Sequence, residues 1–200
     1  MSAETPAPRT ARIERSTAET AVVCTLALDG TGSARIATGL PFLDHLLTAL
    51  TRHARFDLEL ECRGDLEVDD HHTAEDCAIV LGQALDAALG ERRGIVRFGH
   101  AYAPLDEALA RTVVDLSGRP WPEVELGLRR EMLGTLATEN VGHVLRSLAI
   151  AGRMALHVDV LKGENDHHRA EAAFKATALA LRAAVASDGT DRVPSTKEAL

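Results

Sequence analysis

Residues 68–77 read VDDHHTAEDC and residues 164–173 read ENDHHRAEAA. A chain with nine histidines places four of them in two copies of Asp-His-His-x-Ala-Glu. Composition at this level yields roughly 0.03 copies of His-His-x-x-Glu by chance, so a pair of copies points to duplication and shared chemistry. Aligning the copies carries the match outward. His45 falls over His143, Leu47 and Leu50 over Leu145 and Leu148, Leu58 and Leu60 over Leu156 and Val158, and Leu85 over Leu181. Internal repetition of this length defines one structural unit used twice.

Each unit reads as a helix bearing a lone histidine, a strand, a glycine-containing turn, and a second helix opened by His-His. Ile79, Leu81, Leu85, Ala88 and Leu89 follow a 3.6-residue period, as do Phe174, Ala178, Leu181 and Val185. FDLEL and ALHVDV alternate with period two, the strand signature. Gly90 and Gly189 stand where helices would stop. Ahead of the first unit, AVVCTLALDGTGSARIATG holds two alternating runs joined at Asp29-Gly30, which predicts a hairpin. Between the units a strand is expected to end in the turn SGRP. The predicted class is α+β: two half-domains, residues 11–95 and 96–200, each a mostly antiparallel sheet with helices on one face, after a loose tail over residues 1–10.

Composition narrows the function. An apolar share of 46% supports a buried core, and a formal charge of -8 opposes nucleic acid or an anionic membrane as partner. Three scattered cysteines make no disulfide framework, so a reducing compartment, the cytoplasm, is expected. Neither a secretory signal nor a run long enough to span a bilayer is visible.

On a helix, the Glu of His-His-x-x-Glu shares a face with either imidazole, while the two neighbouring histidines diverge by about 100 degrees. One motif can thus serve two ions. With His45 and His143 the two units supply six imidazoles and two carboxylates. Pseudo-symmetry groups His71, Glu75, His143 and His168 on one ion, and His45, His72, His167 and Glu171 on the other. Imidazole and carboxylate suit Mn, Fe, Co, Ni or Zn, and four donors on an octahedral ion leave two positions for substrate or water. His100 reads as a surface or packing residue and His157 as a strand residue. His53, two turns after His45, is a candidate for facing the same cleft. A dimetal phosphoester hydrolase and a metal-storage module remain alternatives at this point. Phosphate release from a phosphomonoester marks the first; ferritin-like storage uses Glu-x-x-His on long helices, an order reversed here.

The stretches IERSTAET, FLDHLL, FDLELECRGDLEVDDHHTAED, GIVRFGHAYAPLDEAL, VDLSGRP, LHVDVLKGENDHHRAEAAFKA and VPSTK name a family. With them the chain resembles imidazoleglycerol-phosphate dehydratase, a histidine-biosynthesis enzyme, along essentially its whole length after the tail. The resemblance implies a duplicated fold of the ribosomal protein S5 domain 2-like type. It implies loss of water from D-erythro-imidazole-glycerol phosphate to give imidazole-acetol phosphate, with two Mn2+ ions held by the eight donors above. The sites are implied to be shared between subunits of an octahedral homo-24-mer. Glu19 is implied to contact substrate as the acid–base group, Glu75 and Glu171 being tied to metal. Arg97, Arg119, Lys175, Ser195, Thr196 and Lys197 match phosphate- and substrate-binding positions, for which forked guanidinium groups are well shaped. The proton removed has no carbonyl beside it, so the imidazole ring must act as electron sink, helped by a cation on its nitrogens. Leu40-Pro41 and Glu198 depart from the family pattern. A fused phosphatase domain, present in some bacteria, is not expected within these 200 residues.

Overall fold

A computed structural model describes residues 8–197 of the chain. Residues 1–7 of the expected tail, and Glu198, lie outside the described residues. Arg9 and Thr10 belong to the fold: Arg9 donates to the Val185 carbonyl at 2.6 Å, and Thr10 opens the first strand.

The first half runs β1 (Thr10–Ser16), β2 (Thr20–Ala27), β3 (Ala34–Ala37), α1 (Pro41–Ala54), β4 (Asp57–Gly64) and α2 (His71–Leu89). The second runs β5 (Phe98–Leu105), β6 (Ala108–Asp115), β7 (Trp121–Glu125), a small β8–β9 pair (Met132–Leu133, Leu136–Ala137), α3 (Thr138–Ala151), β10 (Ala155–Lys162) and α4 (Asp166–Ala184). The sheets have equivalent orders, β1-β2-β4-β3 and β5-β6-β10-β7. In both, the last-named strand lies parallel to its neighbour and the others are antiparallel.

That topology corrects the hairpin expected at Asp29-Gly30. β2 pairs instead with β4 over eight residues, from Thr20 opposite Gly64 to Ala27 opposite Asp57, and β3 lies parallel on the far side of β4. A parallel pair needs a crossover, and α1 supplies it. The turn chemistry of Asp29-Gly30 is overridden by Asp57: its Oδ1 accepts from the backbone N–H groups of Thr31, Gly32 and Ser33 at 2.8, 3.1 and 2.8 Å. A Cβ at Gly30 would collide with the Asp57 backbone, so glycine is required by close approach rather than by a tight turn.

Helices occupy the space between the sheets. α2 packs on β1 and β2, α4 on β5 and β6, and across the middle α2 meets α3 while α1 meets α4. Period-two burial in β2 (Val22, Cys24, Leu26), β4 (Leu58, Leu60) and β10 (Leu156, Val158) turns one face of each sheet to the helices. Alanines at 74, 78, 84, 170, 173 and 176, all nearly fully buried, let the helices approach closely.

Pro41 occupies the first turn of α1, where its missing N–H costs nothing, so this departure fits the helix start. Gly90 ends α2 as expected, at φ 54°. Gly189 does not end α4: the helix stops at Ala184, and the chain crosses to bridge Ser187 with Ile95. Ile79 is half-buried while its neighbour Val80 is fully buried.

Candidate metal centre and substrate site

The Asp that precedes each His-His has a structural task. Asp70 Oδ2 accepts from the Ala137 N–H at 2.7 Å, tying the start of α2 to the strand that leads into α3. Asp166 Oδ2 accepts from the N–H groups of Arg129 and Arg130, both at 2.7 Å. One residue earlier, the Asp69 side chain accepts from the N–H of His71 just ahead of α2, and Asn165 caps α4 by accepting from the N–H of His167. Each histidine pair therefore starts from a fixed helix end.

Two triads result. In the first, His143 Nε2 lies 2.9 Å from Glu75 Oε1, and the His71 and His143 rings are stacked at 5.0 Å between centroids. His71 Nδ1 lies 3.0 Å from Asn140 Oδ1, which leaves Nε2 as the free nitrogen. In the second, Glu171 Oε2 lies 3.0 Å from His45 Nε2 and 3.2 Å from His167 Nε2. Phe42 flanks that pair, 5.1 Å from the His167 ring. Within each triad one donor atom per residue lies within 4.8 Å of the others, a spacing that one cation can bridge. Two imidazoles and a carboxylate are a fitting donor set for a divalent transition metal.

Six of the eight expected donors thus converge. His72 and His168 do not join a triad within the described residues. His72 holds Nδ1 3.0 Å from Asp65 Oδ2, with Nε2 3.7 Å from Glu19 Oε1. His168 holds Nδ1 2.7 Å from Glu107 Oε2 and Nε2 3.9 Å from Asp106 Oδ2. Hydrogen bonding to Asp65 and to Glu107 raises the two histidines above the usual imidazole range. A carboxylate fixing Nδ1 is the arrangement that aims Nε2 outward as a ligand.

Lys175 lies one turn beyond Glu171, its Nζ 2.7 Å from Glu171 Oε1. Burial works to raise the Glu171 carboxyl, but Lys175 and His45 outweigh it and hold the group at about 2. His53 feels the same pair: burial and the Lys175 charge lower it, against a smaller pull from Glu171. The candidate His53 is exposed on α1 within range of those two charges, and His100 and His157 are exposed on β5 and β10.

The remaining phosphate candidates gather elsewhere. Arg97 forks onto Asp115 at 2.7 and 3.0 Å and donates Nη1 to the Pro194 carbonyl at 2.7 Å, holding the segment that carries Ser195, Thr196 and Lys197. Ser195 shares a hollow with Arg93 and Arg192, two cations not singled out from sequence. Arg119 is exposed beyond β6, with Nη1 3.2 Å from the Ser117 carbonyl. The Arg97 N–H bonds the carbonyl of Ala184, the last residue of α4, whereas His167 stands in its first turn. At about 1.5 Å per residue, these ends are about 26 Å apart.

The sequence profile of imidazoleglycerol-phosphate dehydratase matches residues 38–181. The chain belongs to that family. Over 185 residues it is 56% identical to the imidazoleglycerol-phosphate dehydratase of Salinibacter ruber, covering 92% of each chain. The Phaffia rhodozyma enzyme of that name is 52% identical over the full length of both. One from Phytophthora nicotianae is 57% identical over 192 residues, of whose length the chain spans 42%. The crystal structure of the Staphylococcus aureus imidazoleglycerol-phosphate dehydratase superposes with a TM-score of 0.80 at 37% identity, covering 89% of this chain and 99% of that one. The Pyrococcus furiosus structure, in complex with (S)-C348, gives 0.81 at 35%, covering 94% and 100%. The family is one of hydro-lyases of histidine biosynthesis, and the duplicated α+β fold is shared with its solved members. No helix among the described residues is long and apolar enough to cross a membrane.

Proposed function

We propose that this dehydratase converts D-erythro-imidazole-glycerol phosphate to imidazole-acetol phosphate and water in the cytoplasm, using two Mn2+ ions in sites completed by neighbouring copies of the chain. His71, Glu75 and His143 would hold one ion and His45, His167 and Glu171 the other, with His168 and His72 of neighbouring copies as fourth ligands. When bound, such ions lower the pKa of a coordinated imidazole and stabilise charge developing on it. The chain's own groups do the rest. Glu19 exchanges the proton on the carbon next to the ring; Lys175 and His53 border the bound substrate; Arg97, Arg119, Ser195, Thr196 and Lys197 bind its phosphate.

One observation carries the shared-site reading. The substrate is on the order of 10 Å long by its covalent bonds, and the triad at the start of α4 lies about 26 Å from the phosphate set at its end. One substrate molecule cannot reach both within a chain, whereas a closed assembly such as an octahedral 24-mer can bring one copy's triad to another's phosphate set. His72 and His168 support the same arrangement: they join neither triad among the described residues, and their Nε2 atoms stay beyond hydrogen-bond distance of the nearest carboxylates, at 3.7 and 3.9 Å.

The test uses purified protein: manganese content, assembly size, and product formation followed by ultraviolet absorbance, for the wild type and for Glu19→Gln. Expected are bound Mn2+ and a closed oligomer in both proteins, with turnover lower by orders of magnitude in the variant. Near-normal turnover would remove Glu19 from the role, and a monomer with full activity would overturn shared sites.

A further inference from the structure

The two halves part company one residue beyond each triad glutamate: Asp76 follows Glu75, but Ala172 follows Glu171. Both positions are buried, Asp76 at 5% exposure and Ala172 at none. An ionised carboxylate at that depth persists only with charged or hydrogen-bonding partners. Asp76 Oδ2 has two of them, the Thr20 hydroxyl and the Arg15 guanidinium.

Both partners belong to the β1–β2 hairpin, Arg15 near the end of β1 and Thr20 at the start of β2. Between them lies the turn that carries Glu19. Thr17 organises it: its Oγ1 accepts from the N–H of Glu19 at 3.1 Å and of Thr20 at 3.0 Å, and its own N–H donates to the Thr20 carbonyl at 2.8 Å. The turn is thus wired to Thr20, and Thr20 to Asp76. Since Asp76 sits on the helix that presents His71, His72 and Glu75, the same rigid element sets the donors and the height of Glu19 above them.

The second half shows the contrast. The β5–β6 turn holds Asp106 and Glu107, and there the carboxylate itself is the anchor. Glu107 accepts from the N–H groups of Glu164 and Asn165 at 3.1 and 2.9 Å as well as facing His168. A side chain used in this way is not available for proton transfer. In the first half the Glu19 carboxylate makes no hydrogen bond among the described residues and remains half exposed, at 51%. Moving the anchor from the turn's own carboxylate to Asp76 leaves Glu19 free.

We propose that Asp76 is a positioning residue for the acid–base step: through Thr20 and Arg15 it locks the Thr17–Thr20 turn onto α2 and so fixes Glu19 beside His72. This rests on Glu19 being the acid–base group. Loss of the lock leaves the donors in place and loosens the distance between Glu19 and the reacting carbon.

Thr20→Val removes the hydroxyl at nearly constant volume and touches no candidate ligand, so it is the cleaner probe; Thr20→Ser restores the hydroxyl. In the manganese-loaded oligomer, Thr20→Val is expected to lower kcat by roughly 10- to 100-fold, the scale set by sub-ångström misplacement of a reacting group. KM and bound Mn2+ stay at wild-type values, and Thr20→Ser recovers most of kcat. In a Glu19→Gln background Thr20→Val adds no further loss. Additive losses, or a Thr20→Val enzyme with full kcat beside a crippled Glu19→Gln, overturn the positioning role while leaving Glu19 its function. A near-normal Glu19→Gln refutes the acid–base reading itself. Should Thr20→Val fail to assemble, Thr20→Ala, which removes the hydroxyl that donates to Asp76 without adding bulk, is put through the same cycle with the same expectations.

Discussion

Asn140 Oδ1 lies 3.0 Å from His71 Nδ1, joining the first turn of α3 to the first turn of α2. Asn140 is 3% exposed, so the bond is shielded from water and sets the ring's tautomer and orientation. Asn140→Leu keeps the volume and removes the acceptor. The expected result is a fall in Mn2+ affinity of about 10- to 100-fold at one of two sites, read by calorimetric titration, with helix content unchanged. Equal affinity in variant and wild type would show that stacking on His143 alone orients the ring.

Separation of the metal set from the phosphate set along α4 predicts complementation. A His167→Ala variant and an Arg119→Ala variant, each nearly inactive alone at limiting substrate, are expected to regain activity when unfolded and reassembled together. Arg119→Ala alone should raise KM while sparing bound Mn2+. Absence of activity at every mixing ratio, with mixed oligomers shown to form, would place the whole site in one chain.

How much of this was legible beforehand follows from what each signal measures. The repeat, the second helices and the strands β4 and β10 were visible because burial imposes periods of 3.6 and 2 on the sequence. The strand pairing was not visible. Which strand lies next to β2 depends on the crossover through α1 and on Asp57 gathering three distant N–H groups, and neither leaves a local trace at Asp29-Gly30. β5 escaped notice because Gly99 and Pro104 interrupt its alternation. In the site, the donors were readable as residue types at fixed spacing. Asn140, Asp65 and Glu107, which aim those donors, come from loops and helices whose approach only the fold determines.

Asp57 also gives a pH dependence. Hydrogen bonds from the Ser33 and Thr31 backbone hold its carboxyl below the usual value of 3.8. A folded-state pKa lowered in this way favours the fold above the unfolded value and loses that contribution as pH falls through the folded one. Asp57→Asn cannot titrate. Its stability should be lower than wild type near neutral pH, and the gap should narrow as pH drops below about 4, as measured by urea midpoints across a pH series. A gap that stays constant with pH would mean that Asp57 acts by shape and not by charge.

Gly82 marks a close approach of α2 to the C-terminal end of α3, the helices that bring His71 and Glu75 to His143. A Cβ there would lie 2.7 Å from both the Ala151 Cβ and the Leu148 carbonyl oxygen, and 2.8 Å from the Gly152 nitrogen. Helix propensity alone favours Gly82→Ala by about 1 kcal/mol. Overpacking against backbone costs about 1–3 kcal/mol, and backbone atoms cannot rotate aside, so the clash outweighs the propensity gain. Gly82→Ala is expected to lower the urea midpoint and to weaken Mn2+ binding at the His71–Glu75–His143 triad, because the two helices must separate. The repeat supplies the control: its counterpart Ala178 is buried without such a clash, and Ala178→Gly should cost about 1 kcal/mol through propensity without moving a triad. A Gly82→Ala protein more stable than wild type would show that α3 yields, and that the triad does not depend on this contact.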